Sequence, residues 1–260
     1  MSSTQKIIKY FGIGIAFLLI FSIFSFLIDI VLSIGNSFIS NIEPRNVSLN
    51  SNYLDVSLKF SRLEIKSGDS FDVSTDSKYI SVNNDNNKIT IKEKGHFNFN
   101  ITDVVTVIVP SSYVFDDVLI DAGAGSVSID RLVTKNLSFD IGVGNVVIND
   151  LVVYNDTSID GGAGKFVIKN GTINDLDYDM GAGDTNINAF IKGSSEIDCG
   201  VGKLDLNLLN DMSDLSLDLS LGIGSVKFNG TDVVKDSVLG TGRNVIEIDG
   251  GVGDININTK

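Results

Sequence analysis

Between residues 118 and 258, apolar and polar residues alternate in seven similar units, each built around a Gly-x-Gly phrase. Counted from the first glycine, apolar residues recur at columns −3, −1 and +1, and again at +4 and +6. A period of two is typical of β-strands, and the break in phase between +1 and +4 indicates a corner. The pattern predicts two short strands and two bends in each unit.

The glycine pairs are Gly123/Gly125, Gly142/Gly144, Gly162/Gly164, Gly181/Gly183, Gly200/Gly202, Gly222/Gly224 and Gly251/Gly253. Successive pairs are 19, 20, 19, 19, 22 and 29 residues apart. Glycine suits such corners because it tolerates positive φ and lets neighbouring backbones approach closely. A period near 20 is typical of stacked repeats, in which each unit buries its apolar face against its neighbours. The sequence therefore predicts an all-β, solenoid-like stack of two-strand rungs, of the β-helix or roll type, over residues 118–260.

The apolar columns predict one interior shared by all units. Column +6 is uniformly apolar: Ile129, Ile148, Ile168, Ile187, Leu206, Phe228 and Ile257. Column +4 contains one polar residue, Thr185. The only cysteine, Cys199, lies in column −1, where we expect a small core residue and not a nucleophile.

A long apolar segment precedes the repeats; residues 10–28 carry no charge, and Asp29 lies near its outer end. Residues 10–34 are long enough to form a transmembrane helix, and Lys6 and Lys9 before them place residues 1–9 in the cytoplasm. A cleaved signal peptide is the alternative, but its apolar part is shorter and ends in a small-x-small site. We expect an uncleaved single-pass anchor, a linker over residues 35–53, and an extracytoplasmic C-terminal domain.

Residues 54–117 contain short strands without the glycine phrase. Asn83–Asn87 indicates a hairpin loop, and Pro110 closes a strand because proline cannot donate to a ladder. We expect these strands to cover the first rung, since the end of a stack otherwise exposes unpaired backbone.

Composition excludes several kinds of site. The formal charge is −13, so the domain would be repelled by nucleic acid and by anionic lipid. A single cysteine excludes an internal disulfide, and a lone histidine, His96, leaves no Ser/His/Asp triad and no typical zinc site. We expect no enzyme and no cofactor. An enzyme acting on wall glycans would need a distinctive acid/base pair, which does not stand out among the acidic residues.

The clearest candidate chemistry is an aspartate column at −2, read as Asp121, Asp140, Asp160, Asp179, Asp198, Ser220 and Asp249. Stacking would place carboxylates about 5 Å apart, where each neighbouring pair repels by about 0.8 kcal/mol in water. The column must therefore face solvent or hold cations, so Asp121, Asp140, Asp160, Asp179 and Asp198 are candidate metal ligands. The alternative is a hydrated face whose side chains bond to corner amides. A dinucleotide site is excluded, since it needs one Gly-rich turn between a strand and a helix.

Several phrases resemble one known family. They are Asp121–Gly125, Asp160–Gly164 and Asp249–Ile257, preceded by Leu63–Phe71 and Val105–Pro110. Together they are similar to the DUF4097 or toastrack family of bacterial membrane-anchored proteins, over about residues 54–258. The resemblance implies a repetitive β stack outside the cytoplasmic membrane, in proteins often labelled adhesins and in some cases encoded beside envelope-stress systems. It implies no catalytic residues. The chain departs from the pattern at the inserted Thr231–Asn244.

Two functions follow as expectations. The first is a non-enzymatic, membrane-anchored extracytoplasmic module, an adhesin or an envelope-stress-related protein, which binds an envelope protein or surface ligand. The second is a surface module that binds cations or polysaccharide through the outward aspartate column.

Overall fold

The computed structural model describes residues 43–45, 51–85, 87–94, 103–234 and 236–260. Within these ranges the regular structure is β-strand, apart from one 3-10 turn at Met212–Asp214. The described ranges include no helix with the length and apolar character needed to cross a bilayer. The predicted anchor at residues 10–34 and His96 lie outside the described residues.

Eighteen strands are described. The first seven are β1 (Glu43–Arg45), β2 (Tyr53–Leu58), β3 (Arg62–Gly68), β4 (Asp72–Thr75), β5 (Ile80–Asp85), β6 (Lys88–Glu93) and β7 (Val104–Pro110). The next seven are β8 (Phe115–Ile129), β9 (Leu132–Ile148), β10 (Leu151–Val153), β11 (Thr157–Ile168), β12 (Gly171–Asn174), β13 (Leu176–Lys192) and β14 (Ser194–Leu208). The last four are β15 (Leu215–Phe228), β16 (Thr231–Asp232), β17 (Ser237–Gly240) and β18 (Asn244–Asn258).

The glycine-phrase units form a parallel stack in register. Each column of the sequence becomes a row of neighbours, so that Asp121 pairs with Asp140 and Ile129 with Ile148. One strand runs through each phrase: β8, for example, is a single strand of 15 residues. The prediction of two separate strands per unit is therefore wrong. The ladder from β8 to β9 passes from Ala122 to Ala124 and skips only the first glycine of the pair.

Close backbone contact explains the glycines at the corner. At Gly144, φ is +157°, and an added Cβ would lie 1.7 Å from the carbonyl oxygen of Gly125 in the preceding rung. Real Cβ atoms do not approach oxygen so closely, and a side chain at that φ is strained. Any side chain here would push two rungs apart.

A third face was not predicted from the sequence. The first residues of β9 pair with β10, and β10 pairs with β12. The end of β13 continues this sheet, with Ile191 beside Ile173. Leu132, Leu151 and Ile191 are buried there. The first repeat units thus enclose the core on three sides, because the segment between column +7 and the next unit returns along a face of its own.

The last two units do not stack in chain order. β18 pairs on one side with β14 and on the other with β15, so the C-terminal strand lies between them. The predicted serial order is wrong at this end of the stack. The insertion after residue 229 makes the crossing, and its strands β16 and β17 pair antiparallel with β15.

Gly224 lies in a different setting from the preceding repeat glycines. In serial order it would rest on Gly202, but Gly253 of β18 takes that place and pairs with both glycines. Gly224 is also exposed, because β16 and β17 pair with β15 only on either side of the glycine phrase. Its inner contact is as close as in the other rungs: φ is +146°, and an added Cβ would lie 1.6 Å from the carbonyl oxygen of Gly253. The close contact with this one neighbouring rung is enough to require glycine at position 224.

The N-terminal strands continue the stack in the other direction. β2 and β3 pair in parallel with β8, while β6 pairs with β2 and β7 with β3. Antiparallel strands then follow, β5 on β6, β4 on β7 and β1 on β4. β1 falls within the segment predicted to be a linker. The change from parallel to antiparallel pairing marks this end of the stack.

The predicted shared interior is confirmed. Ile148, Ile168 and Ile187 have no exposed surface and lie in successive rungs. Column +1 differs from the expectation of an inward row: Val252 is 44% exposed and Ile223 71% exposed. These two residues belong to the last two rungs, where the stack ends.

The polar member of the core is also explained. Thr185 is buried, and its hydroxyl lies 2.6 Å from the hydroxyl of Tyr178, which is also buried. Tyr178 belongs to column −3 of the same unit, so the chain folds back and brings the two hydroxyls together. Each buried hydroxyl thereby has a partner, as buried polar groups require.

Candidate functional site

The aspartate column forms a continuous row on the outside of the stack. In spatial order the carboxylates are Asp121, Asp140, Asp160, Asp179, Asp198 and Asp249. The five predicted candidates are consecutive, and insertion of β18 adds Asp249 as a sixth. Each end of the row is closed by a serine. Ser57 donates to Asp121 at 3.4 Å, and Ser220 donates to Asp249.

A second acidic column runs beside the first, two residues earlier in each strand. Its members in spatial order are Asp177, Glu196, Glu247 and Asp218. Residues two apart in a strand project from the same side of a sheet. We define the acidic face as Asp177, Asp179, Glu196, Asp198, Asp218, Glu247 and Asp249.

The tightest group on this face is Glu196, Asp198 and Asp249. One carboxylate oxygen from each lies within 4.8 Å of the other two. Asp198 and Asp249 are neighbours only because β18 enters next to β14. Carboxylate oxygens are the ligands that hard cations prefer. The chain thus brings together three oxygens that could bind a divalent cation.

Mutual repulsion changes the acidity of these groups. Partial burial, with the Asp179 and Asp249 carboxylates nearby, raises the pKa of Asp198. Asp198 and its neighbours likewise raise the pKa of Glu196. A raised pKa means that the folded protein binds protons at these groups more tightly than the unfolded chain does. Any cation that approaches would relieve the same repulsion.

The middle of the row shows the same effect. Partial burial raises the pKa of Asp140, and the charges of Asp121 and Asp160 add to it. In the described part of the chain, the side-chain hydrogen bonds of this row go to the serine hydroxyls at its two ends.

Exposed aliphatic residues lie beside the acidic face where β15, β17 and β18 pair. Val245 lies two residues before Glu247 in β18, and Val238 in β17 pairs with Asp218 in β15. They are 40% and 62% exposed. Ile223 and Val252 lie at the neighbouring corner. A partner that binds the acidic face near β17 and β18 would therefore contact both carboxylates and the exposed aliphatic side chains beside them.

The outer edge of β15 is only partly available for strand addition. β17 pairs with Ser216–Leu219, and β16 pairs with Lys227 and Phe228. The N–H of Val233 also donates to the carbonyl of Val226 at 3.0 Å. Native proteins cover sheet edges in this way to prevent unwanted pairing. The acidic face, in contrast, is presented without a covering element among the described residues.

Several residues of the acidic face were not predicted, because the sequence analysis considered the aspartate column at −2 alone. Glu196, Glu247 and Asp218 share a position four residues before the glycine pair, so their column could have been found in the same way. The contact of Asp198 with Asp249 could not, since it depends on the order of the rungs. Cys199 packs against the core as expected, and burial raises the pKa of its thiol to about 12.

Comparison with known proteins shows the family. The sequence profile described as Toastrack DUF4097 matches residues 69–258. A provisionally assigned cell adhesion protein from Clostridium sporogenes has 16% identity, with 85% of this chain and 99% of that chain covered and a TM-score of 0.40. An adhesin candidate from Bacteroides fragilis has 14% identity, 84% and 98% coverage and a TM-score of 0.35. No curated protein matches. Because the profile match spans nearly three quarters of its length, the chain belongs to the Toastrack DUF4097 family.

Proposed function

We propose that this protein is a non-enzymatic, membrane-anchored module that binds a basic segment of another envelope protein or surface ligand through its acidic face. The supporting observation is the arrangement of seven carboxylates in two in-register columns over neighbouring rungs. A strand ladder holds such groups at regular spacing, about 4.8 Å between strands. A partner with lysine or arginine on alternate positions of an extended segment, about 6.8 Å apart, matches the separation of the two columns along each strand.

The charge distribution supports a basic partner. Residues 1–110 contain ten basic and ten acidic residues, whereas residues 111–260 contain ten basic and twenty-three acidic residues. The whole net charge of −13 thus belongs to the part of the chain that carries the glycine-phrase rungs. A field of one sign steers oppositely charged partners toward the surface and repels nucleic acid.

The location is part of the proposal. Residues 10–34 would anchor the chain in the bilayer, with residues 1–9 in the cytoplasm and the β stack outside. Protease treatment of intact cells checks this orientation: fragments from residues beyond 40 are expected to disappear. Their survival, with cleavage only after lysis, would contradict the proposed orientation.

Binding is tested with the full chain in mild detergent and a labelled peptide of alternating lysine and valine. The expected result is salt-sensitive binding that is lost in the double variant Glu196→Lys/Glu247→Lys. Ser128→Lys is the matched control, because Ser128 is exposed on the opposite side of the corner, in the outward part of β8 after the glycine pair. Equal binding by both variants would mean that the acidic face is not the binding surface. If binding is lost only in the acidic-face variant, cross-linking in cells from position 247 identifies the natural partner.

A second candidate function is cation binding, favoured by the three converging oxygens of Glu196, Asp198 and Asp249. In this alternative a divalent cation, alone or as a bridge to a polysaccharide, binds at the end of the aspartate row. Calcium titration followed by thermal unfolding tests it. A rise in melting temperature at millimolar calcium is expected in the native chain and not in Asp249→Asn. An unchanged melting temperature would remove this alternative.

A further inference from the structure

The C-terminal strand occupies an unusual place, since it lies inside the stack and not at its end. β18 follows β15 and β17 in the chain, yet it is hydrogen-bonded to β14 on one edge and to β15 on the other. The rung that closes the gap between β14 and β15 is therefore made from the last strand described, which comes after both in the chain.

The gap requires a strand with the repeat pattern. Ile246, Ile248, Ile255 and Ile257 of β18 are all buried. The last three are each level with an apolar residue in both neighbours, as Ile248 is with Ile197 and Leu219, and Ile246 lies between the buried Ser195 and Leu217. Without β18, two strand edges and this part of the core would be exposed to water, which is costly for both backbone and apolar groups. A second copy of β18 would satisfy every one of these contacts.

The link that holds β18 in its own copy is short and tightly packed. β17 pairs with residues 216–219 of β15, and β18 pairs with those same residues, so the two strands lie on opposite edges of β15. Only residues 241–243 connect them around the start of β15. The N–H of Gly242 donates to the carbonyl of Leu215 at 2.8 Å, and a Cβ at Gly242 would lie 2.0 Å from the carbonyl carbon of Asp214. Short, tight hinges favour exchange of the element that follows them.

Asn244, the first residue of β18, pins the strand to both neighbours. Its amide oxygen accepts from the N–H of Gly193 at 3.2 Å, and its amide nitrogen donates to the carbonyl of Asp214 at 3.0 Å. Both contacts involve groups of the gap and not of the link. They would form equally well if β18 came from another copy.

We propose that β18 exchanges between two copies of this chain, each inserting its C-terminal strand between β14 and β15 of the other. The exchanged and closed forms share the same ladder, core and Asn244 contacts. They differ in the three-residue link, which is released on exchange, and in the entropy of association. Because both copies are identical, the exchange closes as a two-fold dimer.

Two full-length single variants test this directly. Lys203→Cys in β14 and Asp254→Cys in β18 are Cα partners in the ladder, and both residues are exposed. When the two variants are unfolded, refolded together and oxidised, exchange places β18 of one copy beside β14 of the other and favours a disulfide between the copies over the background of random collisions. The native Cys199 interferes little, because burial raises the pKa of its thiol to about 12 and keeps it protonated.

The matched control pairs Asp184→Cys with Lys203→Cys. These residues are Cα partners in the same exposed column, but on β13 and β14, neither of which is a terminal strand. We expect covalent dimers from the first pair at several times the yield of the control pair. Equal yields from the two pairs, or none from the first, would overturn the proposal. Inserting a Gly-Ser pair after Thr241 is expected to lower the dimer yield. An unchanged yield would count against exchange driven by this link.

Discussion

The corner of the N-terminal rung and the corners of the glycine-phrase rungs are stabilised in different ways. In the glycine-phrase rungs, corners lie directly on one another, so that an added Cβ at Gly164 would lie 1.9 Å from the carbonyl oxygen of Gly144. In the N-terminal rung the corner is Lys59-Phe60-Ser61, which contains no glycine. There the carboxylate of Glu93 accepts from all three backbone N–H groups, at 2.8, 3.0 and 3.1 Å.

This difference shows why glycine is required at some corners and not at others. A glycine pair is needed where one backbone corner rests against another, because a Cβ would meet a carbonyl oxygen. Where a carboxylate meets the corner amides instead, ordinary residues are present. The corners of the glycine-phrase rungs therefore pack closely because they lack side chains. The corner of the N-terminal rung is capped by charge-assisted hydrogen bonds from its backbone N–H groups to the Glu93 carboxylate. The regions differ in net charge as well, being neutral before residue 111 and strongly acidic after it.

The largest effect is expected from Gly183→Ala. The new Cβ would lie 1.8 Å from the carbonyl oxygen of Gly164, at a φ of +146°. We expect a loss of about 4 kcal/mol or more in the free energy of unfolding, because the clash with backbone adds to the strain at positive φ. Urea unfolding followed by circular dichroism measures it. In the control Gly230→Ala, φ is +77° and the Cβ meets nothing within 4 Å, so the loss should be only about 1 kcal/mol. Similar losses in both variants would refute the stacking explanation.

Glu93→Ala tests the other kind of corner. It leaves three backbone N–H groups without their acceptor, and we expect a loss of about 2 kcal/mol. Glu93→Gln, which keeps an acceptor oxygen without the charge, should lose about half as much. The same urea experiment applies, with Glu247→Ala as an exposed glutamate on the acidic face for comparison. If Glu247→Ala destabilises the protein as strongly as Glu93→Ala, the capping role is wrong.

Tyr178→Phe probes the polar pair inside the glycine-phrase rungs. It leaves the Thr185 hydroxyl buried without its partner, at an expected cost of about 1–2 kcal/mol. The double variant Tyr178→Phe/Thr185→Val should recover much of that loss, because both hydroxyls are then absent. A double-mutant cycle by thermal unfolding measures the coupling. Additive losses would show that the two hydroxyls do not act together.

The smallest effect concerns the acidic face. The pKa of Asp198 is raised in the folded protein, so its repulsion lowers stability above that pKa and is relieved as the pH falls through it. Asp198→Asn should therefore stabilise the protein at pH 7, by less than about 0.5 kcal/mol because exposed charges are screened. The gain should shrink as the pH falls toward 4 and as salt is added. A gain that is independent of both would exclude charge repulsion as its cause.

Much of the fold could be predicted because a strand has a period of two. Ile148, Ile168 and Ile187 were placed in one buried row from their spacing alone, and the structure confirms that row. The third face was missed because it uses three or four residues per rung, too few to show a period. Within the candidate site, the aspartate row could be read from one column, whereas its contact with Glu196 required the neighbouring column as well.

By itself, the sequence determined the register of the stack, the glycine corners and the outward aspartate row, because in-register stacking aligns identical columns. Only the tertiary structure decided the order of the last two rungs, and with it the exposure of Gly224. The columns of β15 and β18 are so alike that either strand fits beside β14, and periodicity cannot distinguish them. The connection through β16 and β17 selects the order with β18 inside. That choice creates the cluster of Glu196, Asp198 and Asp249.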